Sequence, residues 1–494
     1  MRLRNVVFGI ALASFFAVGT PAFSQAWVPL ANQPDATLAL SAPLLLTDGT
    51  VMLHEYCGRN WFKLSPDQYG SYINGTWRKL APLPVGYAPL YFGSAVLADG
   101  RVVIEGGEYN NCQAVWTNLG AIYDPKKNTW ASMPHPPHWS SIGDAQAVVL
   151  PDGTYMQANC CSTEQALLNP KTLKWTITGK NKFDVNDEEG WTLLPDGTVL
   201  TVDAYVFRNG STGKNYEIYN PATGAWHGGK PGGTIVQLWD SYPDGRNSSH
   251  EVGPAVLRPD GTVFATGATG VPGAGGHTAI YDTISKTWKA GPDFPDGLGA
   301  ADGPASILPN GNVLVQASPG IFNLGSKFLE WNGTDFINVT GGMSDAPNIS
   351  SFYGNMLALP TGEILFTDFG NVWVFRPHGK ANAAWLPRIL SARSTVHRGK
   401  SYVVSGLNMN GFTQGAAYGD DAQSATNYPL VRFTNRITGN VYYERTHDHS
   451  TMAIAYSGPA STTFDVSTNT ETGLNEMEVV VNGIVSDPVT VNVE

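Results

Sequence analysis

Residues 44–53 read Leu-Leu-Leu-Thr-Asp-Gly-Thr-Val-Met-Leu, two short apolar runs on either side of an Asp-Gly pair. An Asp-Gly step between apolar runs is a strong short-range signal for a tight β-hairpin. The arrangement returns as AVLADGRVVI (95–104), VVLPDGTYMQ (148–157), TLLPDGTVLT (192–201), AVLRPDGTVF (255–264), SILPNGNVLV (306–315) and LALPTGEILF (357–366). The turn pairs begin at Asp48, Asp99, Asp152, Asp196, Asp260, Asn310 and Thr361, in steps of 51, 53, 44, 64, 50 and 51 residues. Seven hairpins at one period mean a repeat architecture, and its period selects which one.

After most hairpins come two further strand candidates, as in GAIYDPKKNTWASM, YEIYNPATGAWHGG and TAIYDTISKTWKAG, where a Tyr-bearing strand turns into one carrying Trp130, Trp226 or Trp288. Four strands in about 50 residues is one blade of a kelch-type β-propeller, so the chain is expected to form seven blades. The three tryptophans read as packing between strands and blades, since large aromatics dominate such cores. Trp27-Val28-Pro29-Leu30-Ala31 resembles the outer-strand ends at Trp77 and Trp130, while blade seven lacks a good fourth strand after Asn371–Phe375. The N-terminal strand is therefore expected to complete blade seven and close the ring, removing an open edge.

From about Pro387 the period stops. Tyr402–Ser405, Leu430–Phe433, Thr462–Val466, Glu478–Val481 and Val489–Val493 are strands at sandwich spacing. The expected division is 1–24 signal peptide, 25–386 propeller and 387–494 immunoglobulin-like (E-set) β-sandwich, an all-β chain. The first residues carry Arg2 and Arg4, an apolar run from Val6 to Val18 and Ala22-Phe23-Ser24 before Gln25, the layout of a cleavable secretory signal. Export to a secreted or periplasmic location is expected, with no transmembrane segment, because no run reaches the roughly 20 apolar residues a span needs. Cleavage removes two arginines and no acid, taking the net charge from −11 to −13. Nucleic acid is excluded as a partner on charge, since phosphate binding needs a basic patch. The partner expected is carbohydrate or another extracellular small molecule, met by a monomer.

The order of signal, seven kelch-like blades and sandwich resembles galactose oxidase and the glyoxal oxidases, and Ile104-Glu105-Gly106-Gly107 keeps that family's strand ending. The resemblance implies that each inner strand begins on the active-site face, eight residues before its turn pair. That register points to Leu40, Tyr91, Asp144, Glu188, Val252, Asp302 and Tyr353. The family's copper is held by two tyrosines and two histidines, one tyrosine bonded to a cysteine. Here the Tyr-His pair falls on Tyr353-Gly354, the cysteine position near Tyr91-Phe92, and the modified tyrosine on Asp144. The copper-radical ligands are missing, so a copper-dependent alcohol or aldehyde oxidase is the least favoured reading.

Asp144, Glu188 and Asp302 in their place make the mouth of the ring acidic, with His250 and Glu251 just before blade five. Carboxylates converging on one axis repel one another unless a cation, a basic substrate or protonation relieves them. Oxygen-rich ligation suits calcium, manganese or zinc better than copper. Capping of backbone amides by the same acids is the blander alternative. The family's sandwich sends a loop along the propeller axis, and His447 or His449 is the candidate for that role, His449 joining Asp144, Glu188 and Asp302 as metal ligands. The resemblance also places Cys57, Cys112, Cys160 and Cys161 on the acidic face. In an exported protein they are expected as disulfides, Cys57–Cys112 with Cys160–Cys161, or alternatively Cys112 with Cys160.

Two function classes follow. One is an enzyme or binder acting on extracellular carbohydrate through Asp144, Glu188, His250, Glu251, Asp302 and Tyr353, with a divalent metal assisting. The other is a non-catalytic surface or adhesion module.

Overall fold

The computed structural model describes residues 26–494 except 36, 206–214, 229–235, 237 and 240–249. The expected signal segment, 1–24, lies outside the described residues. Seven four-stranded antiparallel units follow one another, with inner strands starting at Leu40, Gly93, Ala147, Thr192, Val252, Ala305 and Asn355. The fold is an all-β seven-bladed propeller followed by a β-sandwich.

Each Asp-Gly pair makes the same turn. In blade one, Gly49 N donates to Leu46 O at 2.9 Å, and Asp48 Oδ1 accepts from Thr50 N at 3.1 Å. Asp99, Asp152, Asp196, Asp260 and Asn310 repeat the side-chain bond to the residue two ahead. Gly49 sits at φ 75°, a left-handed conformation that L side chains rarely adopt, and a Cβ there would meet Tyr443 of the sandwich. The turn therefore fixes both the hairpin and the close seat of the second domain.

The Tyr and Trp of the outer strands are directly paired: Tyr123 with Trp130, Tyr219 with Trp226, Tyr281 with Trp288. Their rings lie 5.0, 5.4 and 5.1 Å apart, the cross-strand packing that stabilises a sheet.

The ring is closed by its N-terminal strand. Ala26–Pro29 runs antiparallel to Val372–Arg376, with Trp27 opposite Phe375. Trp27 is 5% exposed, packs on Phe328 and Phe375 at 4.5 and 5.0 Å, and donates from Nε1 to Val339 O of blade six. Farther on, Ala31 N bonds Ile73 O of blade one. One short segment thus ties blades six, seven and one together.

In the sandwich, Val441–His447 pairs with Leu430–Asn435 through its first half and with Ala460–Asp465 through its second, passing from one sheet to the other. Val404, Val431, Phe433, Phe464, Met477 and Val491 fill the space between the sheets. No helix among the described residues is long and apolar enough to cross a membrane.

Glu105 ends the second strand of blade two, fully buried, with neither carboxylate oxygen hydrogen-bonded. Burial pushes its pKa well above the usual glutamate range. A carboxyl raised in the folded state favours folding below the unfolded pKa, and that contribution is lost as pH rises toward the folded one. Glu105→Gln abolishes this slope: it should melt with the parent near pH ~4 and above it near pH ~8, read by differential scanning calorimetry. Parallel melting curves at both pH values would refute a neutral buried Glu105.

Candidate functional site

The sandwich does not merely dock under the ring; part of it enters. Between Leu407 and Leu430 the chain climbs the propeller axis. Ala416–Ala417 pairs with the inner strand of blade six, Ala305 opposite Ala417. Gln414 Oε1 accepts from Leu193 N of blade four, Gln423 O from Ser94 Oγ of blade two, and Ser424 Oγ donates to Met356 O of blade seven. A Cβ on Gly190 would stand 2.4 Å from Gly419 O, and one on Gly419 2.8 Å from Asp302 Oδ1. Only glycine fits where loop and ring meet.

This segment carries Tyr418, Asp420 and Asp421 to the open face, where they meet the starts of the inner strands. The cavity there measures about 430 Å³ and is lined by Tyr56, Tyr91, Glu108, Tyr109, Asp144, Glu188, Glu251, Asp302, Phe322, Phe352, Tyr353, Tyr418, Asp420 and Asp421. Seven carboxyl groups face seven aromatic rings, and among the described residues no lysine, arginine or histidine joins the lining. Tyr91, Glu188 and Asp302 hold left-handed backbone conformations, φ 51°, 56° and 44°. Non-glycine residues kept in that region concentrate at functional sites, held there by the surrounding structure.

Burial and mutual repulsion set the electrostatics. Asp144 is pushed well above the carboxylate range by burial first, then by Asp420 and Asp421. Burial followed by Asp302 does the same to Glu188, and Asp302 with Glu188 adds to the burial of Glu251. Asp421 rises through burial and its neighbour Asp420. Asp187, behind the wall, is pushed up to about 7 by burial and then by Asp420. Clustered in this way, these acids hold their protons more tightly than exposed carboxyl groups do.

In the cavity two sets of carboxylates, Asp144 with Asp420 and Asp421, and Glu188 with Asp302 and Asp420, each bring their ligand atoms within 4.8 Å of one another. Asp421 Oδ1 and Asp144 Oδ1 are buried without a hydrogen-bond partner. These are hard oxygen donors, suited to calcium, manganese or zinc. They do not suit the copper-radical centre. Tyr91, Tyr353 and Tyr418 are at hand, but no histidine lines the cavity, and all four cysteines are paired with each other, leaving none to bond a tyrosine.

Of the residues singled out from sequence, Asp144, Glu188, Glu251, Asp302 and Tyr353 line this cavity. His250 does not: its Nδ1 donates to Ala204 O at 3.1 Å, and its ring stacks on Tyr205 and Trp239 at 3.9 and 5.3 Å. His449 as a metal ligand is corrected by the structure. It sits on the opposite face, its backbone N bonded to Ala98 O beside the blade-two turn, its Nδ1 to Thr462 Oγ1, its ring parallel to Tyr428. Burial lowers its pKa to about 3, so it stays neutral. His447 pairs with Asp465 at 3.1 Å and Asp448 at 2.8 Å. The segment bearing both histidines, the end of the Val441–His447 strand and the residues after it, runs under the turns, where Thr446 N bonds Thr47 O and Met452 N bonds Pro151 O. The axial segment is 408–428 instead, and it delivers carboxylates.

Glu108 and Tyr109 reach the cavity beyond Gly106-Gly107, and Tyr56 from the end of a blade-one strand. Cys57–Cys112 links the segments bearing Tyr56 and Tyr109, and Cys160–Cys161 lies beside Asp187. A second cavity of about 520 Å³ lies between the blade-seven turn and the sandwich, but its Glu363 and Arg376 bind each other at 3.0 Å. It presents no comparable unsatisfied chemistry.

A fungal alcohol oxidase of the AA5 family, solved in complex with copper, superposes with a TM-score of 0.53 and 12% identity over 96% of this chain and 99% of that one. The fold is galactose-oxidase-like. The Kelch-like protein terF of Aspergillus terreus (strain NIH 2624 / FGSC A1156) is 30% identical over 126 residues, 25% of this chain. Those residues span 26% of terF, so the likeness covers about a quarter of either protein. No protein-family model matches the sequence. What the likeness to the alcohol oxidase shows is the scaffold.

Proposed function

We propose that the protein is exported and acts on extracellular carbohydrate at the central cavity by cation-assisted acid–base chemistry. The observation that supports this most is seven carboxyl groups facing seven aromatic rings in one cavity, with no basic side chain among the described residues that line it. Phe352 packs on Tyr353 at 4.1 Å and on Phe322 at 5.2 Å, a wall on which the C–H face of a sugar ring can lie. Carboxylates opposite accept from sugar hydroxyls. Asp144, Asp420 and Asp421, or Glu188, Asp302 and Asp420, would hold a hard divalent cation, which when bound polarises a substrate oxygen. Glu251, kept protonated by burial, donates its proton to a leaving oxygen, and an ionised neighbour takes one from the incoming water.

The test is calorimetric titration of oligosaccharides, with and without calcium, manganese or zinc, joined to product analysis. Asp144→Ala and Asp302→Ala should fold and lose cation-dependent binding by roughly tenfold or more, about 1.4 kcal/mol. Unchanged binding in both folded variants would overturn the reading.

A further inference from the structure

The axial segment, 408–428, is fastened to the ring by hydrogen bonds toward blades two, four and seven and by strand pairing toward blade six. Toward blade three it presents something else. Asp420 and Asp421 meet Asp144, carboxyl against carboxyl, just before that blade's inner strand at Ala147–Val149. We propose that a calcium ion bound by Asp144, Asp420 and Asp421 clasps the axial segment of the sandwich to blade three. This rests on the reading of the cavity as cation-assisted; it chooses between the two ligand sets and gives the ion a second task, holding the two domains together.

Three observations carry it. The first is an unmet need. Asp421 is 2% exposed and lines the cavity, and its Oδ1 has no hydrogen-bond partner among the described residues. The buried Oδ1 of Asp144 is in the same condition. A buried oxygen left bare calls for a ligand, and here two such oxygens belong to one set.

The second is fit. Calcium takes oxygen ligands at about 2.3–2.6 Å, so two of them can stand about 4.6–5.2 Å apart across the ion. The ligand atoms of Asp144, Asp420 and Asp421 lie within 4.8 Å of one another. Each carboxylate has two oxygens, so three of them can fill most of a calcium shell, and water entering from the cavity can complete it. The third is the sign of the contact. Asp420 and Asp421 face an acid of the other domain, so when ionised and without an ion they push the segment off blade three. An ion placed among them turns the same three groups into the fastening.

Calcium alone, added to the full chain after chelation, is the probe. One ion should bind by calorimetric titration, raise the melting temperature as its concentration rises, and slow amide exchange across residues 416–424. Asp421→Asn is the deciding variant, and its effect should change sign with the ion. Without calcium it removes one of three repelling charges and melts with the parent or above it. With calcium it melts below, its affinity reduced by more than the roughly 10–100-fold that loss of an outer-shell partner costs. Glu188→Gln, outside this set, should keep both the ion and the slowed exchange. If Asp421→Asn fails to fold by circular dichroism, Asp144→Asn makes the same comparison from the blade side. An ion kept by Asp421→Asn and lost from Glu188→Gln overturns the clasp and leaves the cation-assisted reading standing at the other set. Binding that moves neither melting nor exchange overturns the clasp alone. A chain that binds no calcium overturns it too, and if manganese and zinc also fail to bind, the cation-assisted reading falls with it.

Discussion

Removal of residues 26–34 should turn a monodisperse protein into one that melts lower and aggregates. The deletion strips the outer strand from blade seven and exposes the edge of Val372–Arg376, which Ala26–Pro29 now covers. An unpaired strand edge is a template for pairing with another chain. It also empties the site of Trp27, whose ring touches Phe328, Phe366 and Phe375. Trp27→Ala alone should cost about 3–5 kcal/mol, the range for losing a large buried aromatic. The deletion adds the bonds of Leu30 and Gln33 to Val372 and of Asn32 to Gly75. Thermal melting with light scattering decides it. A truncated chain that melts with the parent and scatters no more light would mean that the ring closes without this strand.

The closing strand was legible because it looks like the strands it joins: Trp27 repeats the pattern of Trp77 and Trp130. The turns were legible for a related reason, since an Asp-Gly pair dictates one hydrogen-bond pattern wherever it stands. Counting eight residues back from those turns reaches Tyr91, Asp144, Glu188, Asp302 and Tyr353, all on the cavity wall. The count fails at Val252 and Leu40, and in both blades the pairing shifts register, between Val252 and Ala255 and between Ser41 and Leu44. A bulge inserts a residue and turns the next side chain, so Glu251 lines the cavity where Val252 was expected. Nothing in the spacing of a sequence announces such a slip.

Asp420 and Asp421 were illegible for another reason. They lie in a stretch of some 20 residues between Leu407 and Leu430 with no strand periodicity, and its path is fixed only by partners in several blades. Its signal was its length. A loop of that size inside a compact domain commonly has work to do. The alternation of His447 and His449 is no sign of an axial loop: His447 ends a strand and His449 follows it under the turns.

Glu251→Gln should reduce turnover by roughly 10²–10⁴-fold, the span that a positioned general acid contributes, while leaving cation binding intact. Glu251 is 4% exposed, and its pKa is raised by burial first, then by the charges of Asp302 and Glu188, to which it is also hydrogen-bonded. A carboxyl raised above its usual range stays protonated at neutral pH and can give that proton to a departing oxygen; as pH rises through the raised value the proton is lost and the rate falls. The parent should therefore show a falling alkaline limb that the variant lacks. Glutamine keeps the shape and a hydrogen-bond donor but has no proton to transfer. Because Glu251 belongs to neither ligand set, manganese content should be unchanged, which separates proton delivery from cation loss. A variant that turns over within a few-fold of the parent along the same pH profile would remove Glu251 from the chemistry, and the acid would then have to be sought among Glu108, Asp144 and Glu188.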